Sequence, residues 1–226
     1  MPEGAQAMDV AITTMGAFAV TVDGAAVDNG EWRRRQAAAL VKILALAPRH
    51  SLHREQVMDA LWSELSVDEA APRMHKAAHY ARRALGDPSS LVLAGESVAL
   101  FPQQDVRVDA QEFQALAVSA LAGRDPVAAA KAADAYGGEL LPQDPYEPWA
   151  QDTRDRLRLL YLDVLRLSGR WDVLTTVDPT DEEAHLRLIT ELARRGERRS
   201  ALRQFERLER ALRQELGVRR ARRRPS

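Results

Sequence analysis

Residues 70–85 read Ala70-Ala71-Pro72-Arg73-Met74-His75-Lys76-Ala77-Ala78-His79-Tyr80-Ala81-Arg82-Arg83-Ala84-Leu85, and the interpretation of the chain turns on them. At about 100° per residue, with Met74 as zero, Ala78, Ala81 and Leu85 fall within about 40° and Ala77 within about 60°. That small apolar stripe is expected to face a core. Arg73, Lys76, His79, Tyr80 and Arg83 fall on the opposite side, between about 140° and 260°, with Arg82 on the flank. The stretch holds four Lys/Arg and no acid. Long donors with no compensating carboxylate suit a groove lined with acceptors. The competing reading is a solvated basic helix face.

The elements around this helix narrow the choice. Upstream, residues 10–22 have strand spacing, with Val10, Ile12, Phe18, Val20 and Val22, and Asp23-Gly24 is a hairpin turn signal before a short return strand at 25–27. Helical periodicity follows over 34–47, with Leu40, Ile43, Leu44 and Ala47 on one face until Pro48 ends it. A second helix is expected over 52–62, with Val57, Leu61 and Trp62 inward. Downstream, Leu85-Gly86 offers a left-handed cap. Residues 91–101 then read as a β-hairpin with Gly95-Glu96-Ser97 at its tip. Strands, three helices and a hairpin make the winged helix-turn-helix plan, with the third helix in the major groove and the hairpin as the wing. Ser97 is the candidate wing contact; Glu96 is poorly suited to lie near phosphate. Arg33-Arg34-Arg35 stands at the start of the first helix, where phosphate contacts are also made.

From about residue 106 the texture is helical only. Phe113, Leu116, Ala117 and Ala120 share a face over 109–121. A helix over 126–136 is stopped by Gly137-Gly138, a Pro-rich loop covers 139–148, and a long helix follows over 149–167. Tyr146, Trp149 and Tyr161 are expected to pack in a core. Arg154, Arg156 and Arg158 alternate with acids and are expected to form a solvated, salt-bridged face. Thr180-Asp181-Glu182-Glu183 reads as a capping box. Residues 184–195 and 200–216 form a helical hairpin about Gly196, in which Ala201-x-x-x-Phe205 fits half a tetratricopeptide unit.

The expected fold is therefore an N-terminal α+β winged helix-turn-helix domain over 1–105. An all-α, tetratricopeptide-like domain over 106–218 and a basic disordered tail over 219–226 complete it. Composition is compatible with this. The chain has 226 residues, 46% apolar and 29% charged, with net charge −1, so it is no basic nucleic-acid coat. Zero cysteines exclude disulfides, thiolate catalysis and Cys-ligated metals. His75 and His79 have metal-ligand spacing, but no Glu follows His75 and no third ligand is evident. No phosphate-binding loop, nucleophile elbow or dinucleotide fingerprint occurs, so neither enzyme nor cofactor is expected. The longest apolar stretch, 37–47, is interrupted by Lys42 and far short of the roughly 20 residues of a membrane span. No secretory signal is visible, and a cytoplasmic location is expected.

Particular motifs carry a family resemblance. Trp32-Arg33-Arg34-Arg35, Leu52-His53-Arg54-Glu55-Gln56-Val57 with Leu61-Trp62, and Tyr80-Ala81-Arg82-Arg83-Ala84-Leu85-Gly86 resemble the OmpR-type winged helix of the streptomycete antibiotic regulatory protein (SARP) family. Val108-Asp109, Tyr136-Gly137-Gly138-Glu139-Leu140-Leu141-Pro142, Tyr146-Glu147-Pro148-Trp149, Asp178-Pro179-Thr180-Asp181-Glu182-Glu183 and Ala201-Leu202-Arg203-Gln204-Phe205 resemble the bacterial transcriptional activator domain that follows it there. The resemblance implies a transcription activator with double-stranded DNA and RNA polymerase as partners, and it allows a homodimer. By position it makes Arg73, Lys76, His79, Tyr80, Arg82 and Arg83 the DNA-facing residues. Met74-His75-Lys76 stands where the family often has Leu-Arg-Gln, so no base preference carries over. The segment between Trp171 and Val177 is short, and a reduced helix is expected there. The alternative is a protein–protein regulatory module whose winged helix does not read DNA, since residues 1–105 carry 10 Lys/Arg against 13 Asp/Glu.

Overall fold

The computed structural model describes residues 8–222. Its first strand, β1 (Val10–Thr13), pairs antiparallel with β2 (Ala19–Val22), which pairs with the two-residue β3 (Ala25–Ala26). Val10, Ile12 and Val20 are buried while Thr13 and Ala19 are exposed, which is the period-two pattern of a half-buried sheet. Asp23 and Gly24 both take positive φ, 50° and 76°, as a hairpin turn matched to strand twist requires.

Three helices follow. Helix α1 (Arg35–Leu46) buries Leu40, Val41, Ile43 and Leu44. A short strand, β4 (Ser51–His53), runs directly into α2 (Arg54–Trp62), and α3 (Val67–Leu85) comes next. Strands β5 (Leu91–Ala94) and β6 (Ser97–Leu100) form the expected hairpin, and β4 adds to its edge in the order β4-β6-β5, with Leu52 opposite Val98. Residues 52–53 are thus strand rather than helix. His53 caps α2: its main-chain N–H donates to Gln56 Oε1 at 3.0 Å, and the backbone before a cap is extended. Three residues are too few to show a period of two.

Helix α3 begins three residues earlier than its periodicity suggests. Ser66 and Glu69 close a capping box, with Ser66 Oγ donating to Glu69 Oε2 at 2.6 Å. Pro72 therefore lies inside the helix rather than near its start. Met74, Ala77, Ala78, Ala81 and Leu85 are buried as the wheel requires, and Gly86 closes the helix at φ 72°.

Strand β7 (Val106–Val108) pairs parallel with β1, giving the sheet order β3-β2-β1-β7. Asp109 starts α4 (Asp109–Gly123) and fixes it to β1. Its carboxylate accepts from Thr14 N–H at 2.8 Å, Thr14 Oγ at 2.7 Å and Met15 N–H at 2.9 Å. Helices α5 (Pro126–Asp134), α6 (Pro148–Ser168), α7 (Trp171–Val177), α8 (Glu182–Arg194) and α9 (Arg198–Arg222) complete the chain. The N-terminal part is α+β and the remainder helical. Helix α7 is the reduced helix expected there.

Two compact units emerge. One runs to Ala115 and takes in Ala135–Arg158; the other comprises Leu116–Asp134 and the chain from Leu159 onward. The expected break at 105/106 falls beside β7, inside the sheet of the first unit. The loop before α6 also belongs to that unit. Gly16 N–H donates to Glu139 O and Leu141 N–H to Thr14 O, both at 2.8 Å, and a Cβ on Gly16 would stand 2.5 Å from the Gly137 oxygen. Only glycine permits that approach.

Other expectations need correction. Arg154 is 7% exposed and not on a solvated face. Its Nε donates to Leu140 O at 3.1 Å and its Nη2 to Asp144 O at 3.1 Å, so it holds the Pro-rich loop. Tyr146 is 93% exposed and Leu116 about half-exposed, so neither is core. The cap of α8 is Asp181, whose carboxylate accepts from Ala184 N–H at 2.8 Å; Thr180 instead bonds Asp178. Helix α9 continues to Arg222, through the first half of the expected tail, because arginine is a good helix former and no proline intervenes. Residues 223–226 lie outside the described residues.

Candidate nucleic-acid interface

The start of α1 and one face of α3 come together in the first unit. Asp28 caps a 3-10 turn, Asn29–Arg33, by accepting from Gly30 N–H at 2.6 Å. That turn delivers Arg33, Arg34 and Arg35, all exposed, to the mouth of α1. On α3, Arg73, Lys76, His79 and Arg83 are exposed and Tyr80 is half-buried. The two groups, about forty positions apart, line one cavity of about 420 Å³: Arg33, Arg34, Arg35, Arg73, Lys76 and Tyr80 contribute to its wall. Gln36, Ala37, Trp62 and Ala77 complete it.

The electrostatics are one-sided. No carboxylate lines the cavity. The Arg34 guanidinium lies over the Tyr80 ring, 4.7 Å from its centroid, and the His79 ring meets Tyr80 edge-on at 5.4 Å. An aromatic face orients a cation without neutralising it. Glu147 and Glu69 are both engaged. Glu147 takes Arg35 at 2.6 Å, although the Arg35 side chain remains 78% exposed. Hydrogen bonds from Ser66, side chain first and backbone second, hold Glu69 below the usual carboxylate range, with Arg73 adding a smaller attraction.

The remaining predicted residues lie elsewhere. Arg82 Nε donates to the Leu91 carbonyl at 2.7 Å, so this half-buried arginine ties α3 to the hairpin. Ser97 is exposed at the hairpin, where its Oγ pairs with Ser51 Oγ at 2.9 Å. Neighbouring Glu96 is anchored from α2: its carbonyl accepts from Arg54 N–H at 2.7 Å, and its carboxylate lies 3.1 Å from His53 Nε2. Gln36, Ala37, Trp62 and Ala77 are the lining residues that sequence reasoning missed. Trp62 reads as an inward residue of α2, and it is 2% exposed. That it also lines the cavity depends on how α2 crosses α1 and α3, which no local period encodes.

Residues 166–224 match the family described as bacterial transcriptional activator domain. The match begins within α6 and runs through the arginine-rich end, so the motifs at 108–149 lie before it. No curated protein matches the sequence. Among solved structures the chain is similar to Mycobacterium tuberculosis EmbR, in a structure of that protein in complex with low affinity phosphopeptide. The TM-score is 0.64 at 20% identity, over 93% of this chain and 61% of that one. At that identity the likeness is one of fold, and the chain spans less than two thirds of the length of the chain it matches. The family match bears out the resemblance of the C-terminal part to the bacterial transcriptional activator domain. Among the described residues no helix is long and apolar enough to cross a membrane, and no three His, Asp or Glu side chains gather to hold a metal ion.

Proposed function

We propose that this protein is a sequence-specific, double-stranded-DNA-binding regulator of transcription whose first unit works as a winged helix-turn-helix. One observation carries the reading: two basic groups far apart in sequence, Arg33–Arg35 and Arg73 with Lys76, converge on one surface that no carboxylate lines. Helix α3 enters the major groove. There Arg73, Lys76, His79 and Arg83 face base edges, while Arg33 and Arg34 meet phosphates at the mouth of α1. The β5–β6 hairpin, with Ser97 at its end, is the wing. Tyr80 holds Arg34 in place, and Arg82 fixes the hairpin against α3. The helical part serves recruitment of RNA polymerase and self-association, as the activator-domain match suggests. The setting is the cytoplasm, and the mechanism is binding rather than chemistry.

One observation favours the second reading, a protein–protein module that does not read DNA. Glu96, at the tip of the proposed wing, has an 83% exposed carboxylate that would face phosphate. Fluorescence-anisotropy titration on the chain's own upstream DNA and on a scrambled duplex separates the two. The DNA reading expects tighter binding to the upstream duplex, weakening steeply with salt. No binding to either duplex at low salt would leave only the second reading.

A further inference from the structure

A helix that reads a groove needs a ridge of exposed donors; it has no use for a pit behind them. Here the basic rim encloses a cavity of about 420 Å³. That volume lies in the range of small-molecule sites, roughly 300–1,000 Å³. Its apolar lining is the buried Trp62 with Ala37 and Ala77. The Trp62 indole N–H is buried with no acceptor among the described residues. Arg34 is held over Tyr80 by the ring face alone, which leaves its N–H groups for an anion.

We infer that this cavity binds a small anion carrying a planar ring, of mononucleotide size, and that its occupancy competes with DNA. The ring lies against the Trp62–Ala77 lining and the phosphate or carboxylate sits between Arg34 and Lys76. These cations are the ones the proposed DNA contact uses, so a bound anion neutralises them and fills the space a DNA phosphate would approach. The competitive half rests on the DNA-binding reading; the binding half does not.

Phosphate is common to a free nucleotide and to DNA, so the test uses GMP, AMP and inorganic phosphate on the full-length chain. Calorimetry is expected to give saturable binding of a nucleotide, with at least tenfold tighter affinity than inorganic phosphate. The nucleotide quenches tryptophan fluorescence in the wild type, and the quench disappears in Trp62→Phe. Arg34→Gln and Lys76→Gln, both at exposed positions, each weaken nucleotide binding about tenfold, which keeps the test valid should Trp62→Phe fail to fold. At constant ionic strength the nucleotide releases a labelled duplex and inorganic phosphate does not. Failure of both nucleotides to bind overturns the inference even if DNA binds. So does equal displacement by inorganic phosphate, or a quench that survives in folded Trp62→Phe. Nucleotide binding at Trp62 with no duplex binding supports the cavity and removes the DNA reading instead.

Discussion

Helix α3 and the helices α6, α8 and α9 are all rich in arginine, and their arginines do opposite things. On or just after α8 and on α9, the salt-bridged arginines among the described residues face a carboxylate four residues earlier: Arg187 faces Glu183, Arg195 faces Glu191 and Arg213 faces Glu209. On α6, Arg154 is spent on carbonyls of the loop before it, and Arg166 is shared between Asp163 and Asp181. On α3 the only acids lie in the first turn, and the nearest, Glu69, is engaged by Ser66. The lesson is that arginine content alone says little. What marks a binding surface is arginine that nothing within its own chain answers, since exposed pairs contribute little and unpaired cations seek an external anion.

The contrast can be broken most forcefully at Arg154. Its removal leaves the carbonyls of Leu140 and Asp144 without their donor, so Arg154→Ala is expected to lower stability by about 3 kcal/mol. Arg156→Ala, on the same helix but exposed, should change it by less than about 0.5 kcal/mol. Urea denaturation of both variants measures the difference. If the two lose the same amount, Arg154 belongs with the solvated arginines after all.

The second comparison reads affinity rather than stability. Arg34→Ala with Lys76→Ala should weaken duplex binding by about 2–3 kcal/mol in total, a factor of roughly 30 to 150. Arg187→Ala with Arg195→Ala should change it less than about twofold, because those cations already have partners. A matched loss from both pairs would mean that binding follows overall charge.

A third effect is smaller and depends on pH. Burial alone would raise the Asp181 pKa, but the Ala184 N–H and the Arg166 guanidinium outweigh it and hold the carboxyl below the usual value. A carboxylate depressed in the folded state contributes stability above its unfolded pKa, about 3.9, and loses it as pH falls through the folded value. Wild type should therefore lose about 1–2 kcal/mol relative to Asp181→Asn below about pH 3.9, and the gap at neutral pH should be of similar size. Parallel stability curves for the two proteins from pH 7 to pH 2 would rule this out. Smallest of all, Arg187→Ala should cost only about 0.3–0.5 kcal/mol, the worth of one pair spaced by four on a helix, and 0.5 M salt should erase it.

Much of this was legible from residue spacing. Met74, Ala78, Ala81 and Leu85 specify the buried stripe of α3 directly, and Gly86 its end, because helical period and cap chemistry are local. Asp23-Gly24 and Gly95-Glu96-Ser97 mark their hairpins for the same reason. Strands β4 and β7 were not legible: each has three residues, and each exists because a partner, β6 or β1, supplies its hydrogen bonds. Arg154 was misread since its alternation with Asp152 and Asp155 matches a surface pattern, while its partners are backbone carbonyls 10 and 14 residues away. The basic groups of the candidate interface could each be named from sequence. That they share one cavity with Trp62 depends on the crossing of α1, α2 and α3.

The most direct test of the central claim is the salt dependence of duplex affinity, measured by anisotropy for wild type, Arg34→Ala/Lys76→Ala and Arg187→Ala/Arg195→Ala. Each neutralised phosphate contributes about 0.9 to the slope of log affinity against log salt. A slope shallower by about 0.9 is expected in the first double variant, from the phosphate assigned to Arg34, and an unchanged slope in the second. Equal slopes in all three proteins would contradict it, for the unanswered Arg34 at the mouth of α1 would then not meet a phosphate.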